Sequence, residues 1–124
     1  MKTILVPLFA LALAGCATQI TTADLAKCGT PPTRSEERTK AYVEAQLRDP
    51  ESARYHFLAL KRSTYRDGLI EGGGVHYGWV QEVEVNAKNG FGGYEGFQTY
   101  YVFFEGGGMP TRSSINGYLG TIEP

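Results

Sequence analysis

The amino-acid sequence predicts an α+β fold: one N-terminal amphipathic helix packed on a three- to four-stranded antiparallel sheet. Three observations carry that prediction. Residues 34 to 48 place apolar side chains at three- and four-residue spacing, the period of a helix. From Tyr55 onward the period changes to two and strand-forming residues dominate. Fourteen of the sixteen glycines fall after residue 67, in clusters that suit the hairpin turns of an antiparallel sheet. A helix followed by strands gives a two-layer arrangement in which each element buries one face on the other.

The helix has a start signal in Thr33-Arg34-Ser35-Glu36, where the Thr33 hydroxyl would accept from a first-turn amide and Glu36 would reach back. Ala41, Tyr42, Val43, Ala45 and Leu47 form its apolar stripe, while Arg34, Arg38, Lys40 and Arg48 lie on the wet side. Asp49-Pro50-Glu51-Ser52 ends it, because proline bars helical continuation from the residue before, and Pro50 suits the first position of a new turn. Strands are expected over 55–61, 77–85 and 99–104, with a weak edge strand between Ser114 and Ile122. In the second strand Trp79, Val83 and Val85 share one face, and Glu82 and Glu84 share the other, solvated one. The third strand is apolar on both faces, Tyr100 and Phe104 on one and Tyr101 and Phe103 on the other. One of these faces should meet the helix, and the other needs loops or a partner to cover it.

The first residues have a different character. Lys2 precedes the apolar run Ile4 to Leu13, and small residues follow, the three parts of an export signal. That run is about half the length needed to span a bilayer as a helix. Leu13-Ala14-Gly15-Cys16 resembles the lipobox of bacterial lipoproteins. The resemblance implies cleavage before Cys16, a thioether from its sulfur to diacylglycerol, and attachment to a membrane. Ala17 after the cysteine implies the outer membrane, facing the periplasm. On that reading residues 1–15 are a signal peptide, 16–32 a lipidated cysteine and flexible tether, and 33–124 a single small α+β domain. An ordinary signal peptidase acting at Gly15-Cys16-Ala17 would instead release a soluble secreted protein. Cys28 then stands as an odd thiol, free or paired with another chain.

The segment Val85 to Phe97, with Asn86-Ala87-Lys88-Asn89-Gly90-Phe91-Gly92-Gly93-Tyr94 at its centre, resembles a block of small envelope lipoproteins of proteobacteria and their prophages. Asp49-Pro50-Glu51-Ser52-Ala53-Arg54 resembles a turn of the same proteins. The resemblance implies a fold and an envelope location but no activity. Read from the residues, Asn89-Gly90 is a tight-turn pair. Phe91, Tyr94 and Phe97 are candidate partner-binding residues, with Tyr100 and Phe104 in support. Alternatively these aromatics cover the open end of the sheet.

The net charge of −1 gives no reason to expect nucleic-acid binding. The glycine spacing of the loop does not fit a nucleotide fingerprint, and no helix follows it to hold a phosphate. His56 and His76 lack ligand spacing, so no metal and no cofactor is expected. An enzyme would require one of these histidines to meet a carboxylate in a pocket. The expectation is therefore a non-enzymatic envelope module that binds another envelope protein. A periplasmic inhibitor or immunity protein that occludes a hydrolase or toxin is the alternative.

Overall fold

A computed structural model describes residues 19–118 and 120–124. The protein is α+β with one open antiparallel sheet of five strands, in the order β4-β3-β2-β1-β5. The strands are Arg54–Arg66 (β1), Val75–Asn86 (β2), Gln98–Glu105 (β3), Pro110–Ile115 (β4) and Thr121–Ile122 (β5); the helices are Thr22–Lys27 (α1) and Ser35–Glu44 (α2). The strand count corrects the expectation of three to four. The anticipated edge strand is two pieces on opposite edges of the sheet: its first residues end β4, and its last form β5, which pairs with Ser63 and Thr64 of β1.

The core lies on one face of the sheet. Val43 of α2 packs there with Val83, Val85, Tyr100, Val102 and Phe104, and Leu47, Tyr55, Phe57 and Trp79 flank them. A bulge in β1 between Phe57 and Leu60, where β1 advances three residues against two of β2, puts Leu60 in place of Ala59 on this face, opposite Gln81. Gln81, buried in the same face, donates to the bulge carbonyl of Leu58 (2.9 Å) and accepts from the Ser35 hydroxyl (3.2 Å). A buried amide with such partners fixes where α2 begins over β2.

The start of α2 differs from the expected capping box. The residue before Ser35 is Arg34, in the left-handed region at φ 51°, and no side chain caps the helix. The chain arrives from a segment already docked on the sheet and turns sharply at Arg34. The helix also ends earlier, at Glu44. Gln46 and Leu47 bond back to the carbonyls of Val43 and Glu44, a tighter turn that brings Leu47 to the core ahead of Pro50.

Of the flexible tether expected over 16–32, the described residues from Thr21 to Thr30 are ordered and docked on the sheet. Thr21 and Asp24 form a reciprocal cap on α1. Cys28 is fully buried, its thiol 3.4 Å from the Asp24 carbonyl and 3.6 Å from that of Ser63. The Trp79 indole donates to the Gly29 carbonyl at 3.2 Å. Gly107 has φ 79°, and a Cβ there would lie 2.0 Å from the Thr30 carbonyl oxygen. A glycine is required by both the angle and the contact. The buried Cys28 thiol is thus out of reach of another chain in the folded protein. The expected signal peptide and Cys16 lie outside the described residues.

The opposite face of the sheet carries Val80 and Phe103, both buried. The connection from β4 to β5 crosses this face. Asn116, at φ 54°, opens it by trading two hydrogen bonds with Thr99. Tyr118 then stacks on Tyr101 (5.6 Å) and meets the edge of Tyr65 (5.8 Å), which itself packs on Phe103. Its hydroxyl bonds to the Ser63 hydroxyl and donates to the Thr64 carbonyl. Removal from water pushes the Tyr118 phenol up to about 12. The chain's own C-terminal segment thus covers the second face. Among the described residues no helix is long and apolar enough to cross a membrane.

Candidate functional site

The loop between β2 and β3 is built by Asn89. Its side-chain oxygen accepts from the Phe91 and Gly93 amides (2.9 and 3.2 Å), and its amide donates to Glu95 (2.8 Å). Its backbone pairs with Gly92 and Gly93. The turn differs from the expected Asn-Gly type. Asn89 occupies the first position, Gly90 and Phe91 the centre, and the positive φ falls at Gly92 (78°). Phe91 is held at the tip and is fully exposed.

Tyr94 is a strut as well as a surface residue. Its hydroxyl donates to the Ser52 carbonyl (2.8 Å), and its ring has the Arg54 guanidinium at 4.6 Å and the Lys88 ammonium at 5.9 Å. The Ser52 hydroxyl in turn accepts from the Lys88 amide at 2.9 Å. The short 3-10 turn Pro50–Ser52 therefore buttresses the loop. Tyr94 remains 39% exposed and Phe97 54%. Tyr100 and Phe104 are buried under α2 and belong to the core, because β3 turns both towards Val43. They are corrected out of the candidate surface, which reduces to Phe91 and Phe97 with one face of Tyr94. Between the loop and the end of α2 lies a cavity of about 230 Å³, lined by Gln46, Leu47, Arg48, Lys88, Glu95 and Tyr100 among others.

The histidines do meet carboxylates. His56 lies 3.1 Å from Glu84 on an open strand surface, its side chain mostly in solvent. His76 is bracketed by Asp67 and Glu105, each at 2.8 Å, and the second oxygen of Asp67 binds Arg112 at 2.6 Å. The Arg112 guanidinium rests on the Tyr65 ring at 4.4 Å. The hydrogen bond to Asp67, then that to Glu105, holds the His76 imidazole above its ordinary value. His76 and then Arg112 hold the Asp67 carboxyl below its own. Both ring nitrogens of His76 are taken, so the ring has no free position from which to exchange a proton with a substrate. This network ties the ends of β1, β2, β3 and β4 together. Among the described residues no group of three His, Cys, Asp or Glu side chains is placed to hold a metal ion.

A second exposed apolar group was not anticipated. Leu69 and Ile70, in the short 3-10 turn Leu69–Glu71 between β1 and β2, are fully exposed. Its signal in the sequence is an aliphatic pair set among Gly68, Gly72, Gly73 and Gly74, where a turn would ordinarily be polar.

Comparison with protein-family models, with curated proteins and with solved structures gives no match in any of the three. The functional reading therefore rests on the residues of the chain itself.

Proposed function

We propose that the protein is a membrane-anchored envelope lipoprotein, tethered through Cys16, whose domain binds another envelope protein without catalysing a reaction. In this reading α2 laid on the sheet forms a stiff body, and the loop from Lys88 to Phe97 is its contact surface. One observation carries it: Phe91 is fully exposed at the tip of a loop whose Phe91 and Gly93 amides donate to the Asn89 side chain. A large apolar side chain in water on an ordered support binds with little further loss of freedom. The same prong suits a second reading, an inhibitor that inserts Phe91 into the cleft of a hydrolase, because rigid protruding loops present side chains in a fixed pose.

The experiment is site-specific crosslinking in intact cells. A photoreactive benzoylphenylalanine at position 91 should give a discrete adduct with one envelope protein, and the same probe at position 58, on the bulge of β1, should not. Adding unlabelled protein should compete the adduct away, and protein carrying Phe91→Ala and Phe97→Ala should not compete. Identical adducts from both positions would refute a specific surface at the loop. A hydrolase or toxin as the crosslinked partner, silenced by the bound protein, would select the inhibitor.

A further inference from the structure

The two exposed apolar tips lie at opposite ends of the sheet. The loop with Phe91 joins β2 to β3 at one end, and the turn with Leu69 and Ile70 joins β1 to β2 at the other. The second end has its own construction. Gly68 accepts from the amides of Glu71 and Gly73, and the Glu71 carboxylate bends back to the Gly68 amide (3.3 Å), so the turn is ordered. Val75 beside it is partly exposed, as is Met109 in the neighbouring β3–β4 turn. The carboxylates at this end are engaged: Asp67 and Glu105 with His76, and Glu71 with its own turn. Arg66 and Lys27 form no ion pair among the described residues, and the Lys27 ammonium sits over the Tyr77 ring at 4.8 Å. The end therefore offers aliphatic side chains with two basic ones nearby, while Asp67 and Glu105 share His76 and Glu71 is held to its own turn.

The N-terminal segment reaches the sheet at this same end. Lys27 lies on Tyr77, two residues into β2, and Gly29 and Thr30 lie against Gly106 and Gly107 of the β3–β4 turn. The folded part begins at Thr21, the cap of α1. Four residues separate position 16 from Thr21, so the five steps reach roughly 18 Å when fully extended. The far loop stands roughly 40 Å away, the length of a thirteen-residue strand such as β1.

We infer that the Leu69–Ile70 turn, with Met109 and Val75, inserts into the lipid surface to which the chain is anchored, orienting the sheet upright with Phe91 outermost. The inference rests on the anchor reading given above. Aliphatic tips with adjacent basic side chains are the chemistry of a membrane interface, where acyl chains take the former and lipid phosphates the latter. A short leash leaves this end little else to meet.

The test uses the mature protein purified from the envelope with its N-terminus as processed in the cell, reconstituted in vesicles of phosphatidylethanolamine and phosphatidylglycerol. A nitrobenzoxadiazole probe is placed through Ile70→Cys or, separately, through Phe91→Cys; Cys28 is buried and stays unlabelled. At position 70 the emission should shift to the blue and be quenched by nitroxide lipids, and at position 91 neither should occur. Equal behaviour of the two probes, or a probe at 70 that stays in water, overturns the inference and leaves the anchor reading standing. A blue shift that follows protein concentration in place of lipid also overturns it, by assigning the turn to a second copy. Mass spectrometry of the N-terminal peptide reads the anchor separately, and a Cys16 without diacylglycerol would remove that reading and this inference together.

Discussion

Phe104 and Phe91 are the same residue type in opposite surroundings, and replacing each with alanine measures which phenylalanines build the protein and which are left for contact. Phe104 is fully buried in the cluster with Val43, Val83 and Val102. Truncation there removes the transfer free energy of a benzyl group and leaves a cavity, at a cost of about 3–5 kcal/mol. A small domain has about 5–15 kcal/mol in total. Each kcal/mol moves the melting temperature of a domain this size by about 4–8 °C, so Phe104→Ala should lower it by more than 10 °C or leave the chain unfolded. Phe91 loses no burial when truncated, so Phe91→Ala should stay within about 0.5 kcal/mol of the parent. Thermal and urea unfolding followed by circular dichroism give both numbers. If Phe91→Ala shifts the midpoint as far as Phe104→Ala does, the loop phenylalanine is core and the proposed contact surface falls.

Three further outcomes are expected. The raised His76 pKa means its pairing with Asp67 and Glu105 stabilises fully below about pH 6.5 and is lost as pH rises through the folded value; the lowered Asp67 pKa means its share is present above about 3.8 and lost as pH falls through the folded value. The melting temperature should therefore fall between pH 6 and 8, and His76→Gln should flatten that slope; an unchanged slope would show that the network does not couple to folding. Gly107→Ala forces a Cβ against the Thr30 carbonyl at a positive φ, so it should cost at least about 1 kcal/mol and speed alkylation of Cys28 in native buffer, read by peptide mass; the parent protein should resist the reagent until denatured. Thr39 is fully buried in α2 and its hydroxyl has no hydrogen-bond partner among the described residues, so Thr39→Val should stabilise by about 1 kcal/mol in urea titration, and a loss of stability would mean that hydroxyl is satisfied.

The sequence is legible where the physics is local. The two-residue period of β2 places Trp79, Val83 and Val85 on one face, as the structure does, because alternation directly encodes a half-buried strand. Strand β4 escapes such a reading. Pro110-Thr111-Arg112-Ser113-Ser114-Ile115 has no apolar alternation, and it is extended because β3 offers it a partner across the Gly106–Gly108 turn. The docking of Cys28 is equally non-local, set by Ser63, Trp79 and Gly107 far along the chain. Among the candidate residues, Phe91 and Phe97 are surface residues and Tyr100 and Phe104 are core. The aromatic clustering itself could not separate them, since strand parity and the position of α2 decide the matter. His76, Asp67, Glu105 and Arg112 look unrelated in the sequence and meet only because the register of four strands sets them side by side.

The way Cys28, Gly29 and Thr30 clasp the sheet has a mechanical side. Tension on the N-terminus loads that clasp before any strand, and the clasp contributes no rung to the sheet ladder. A tug that exceeds its strength peels α1 away and lengthens the leash by a dozen or so residues. The five strands then keep their register, as a cable grip yields before the conductor does.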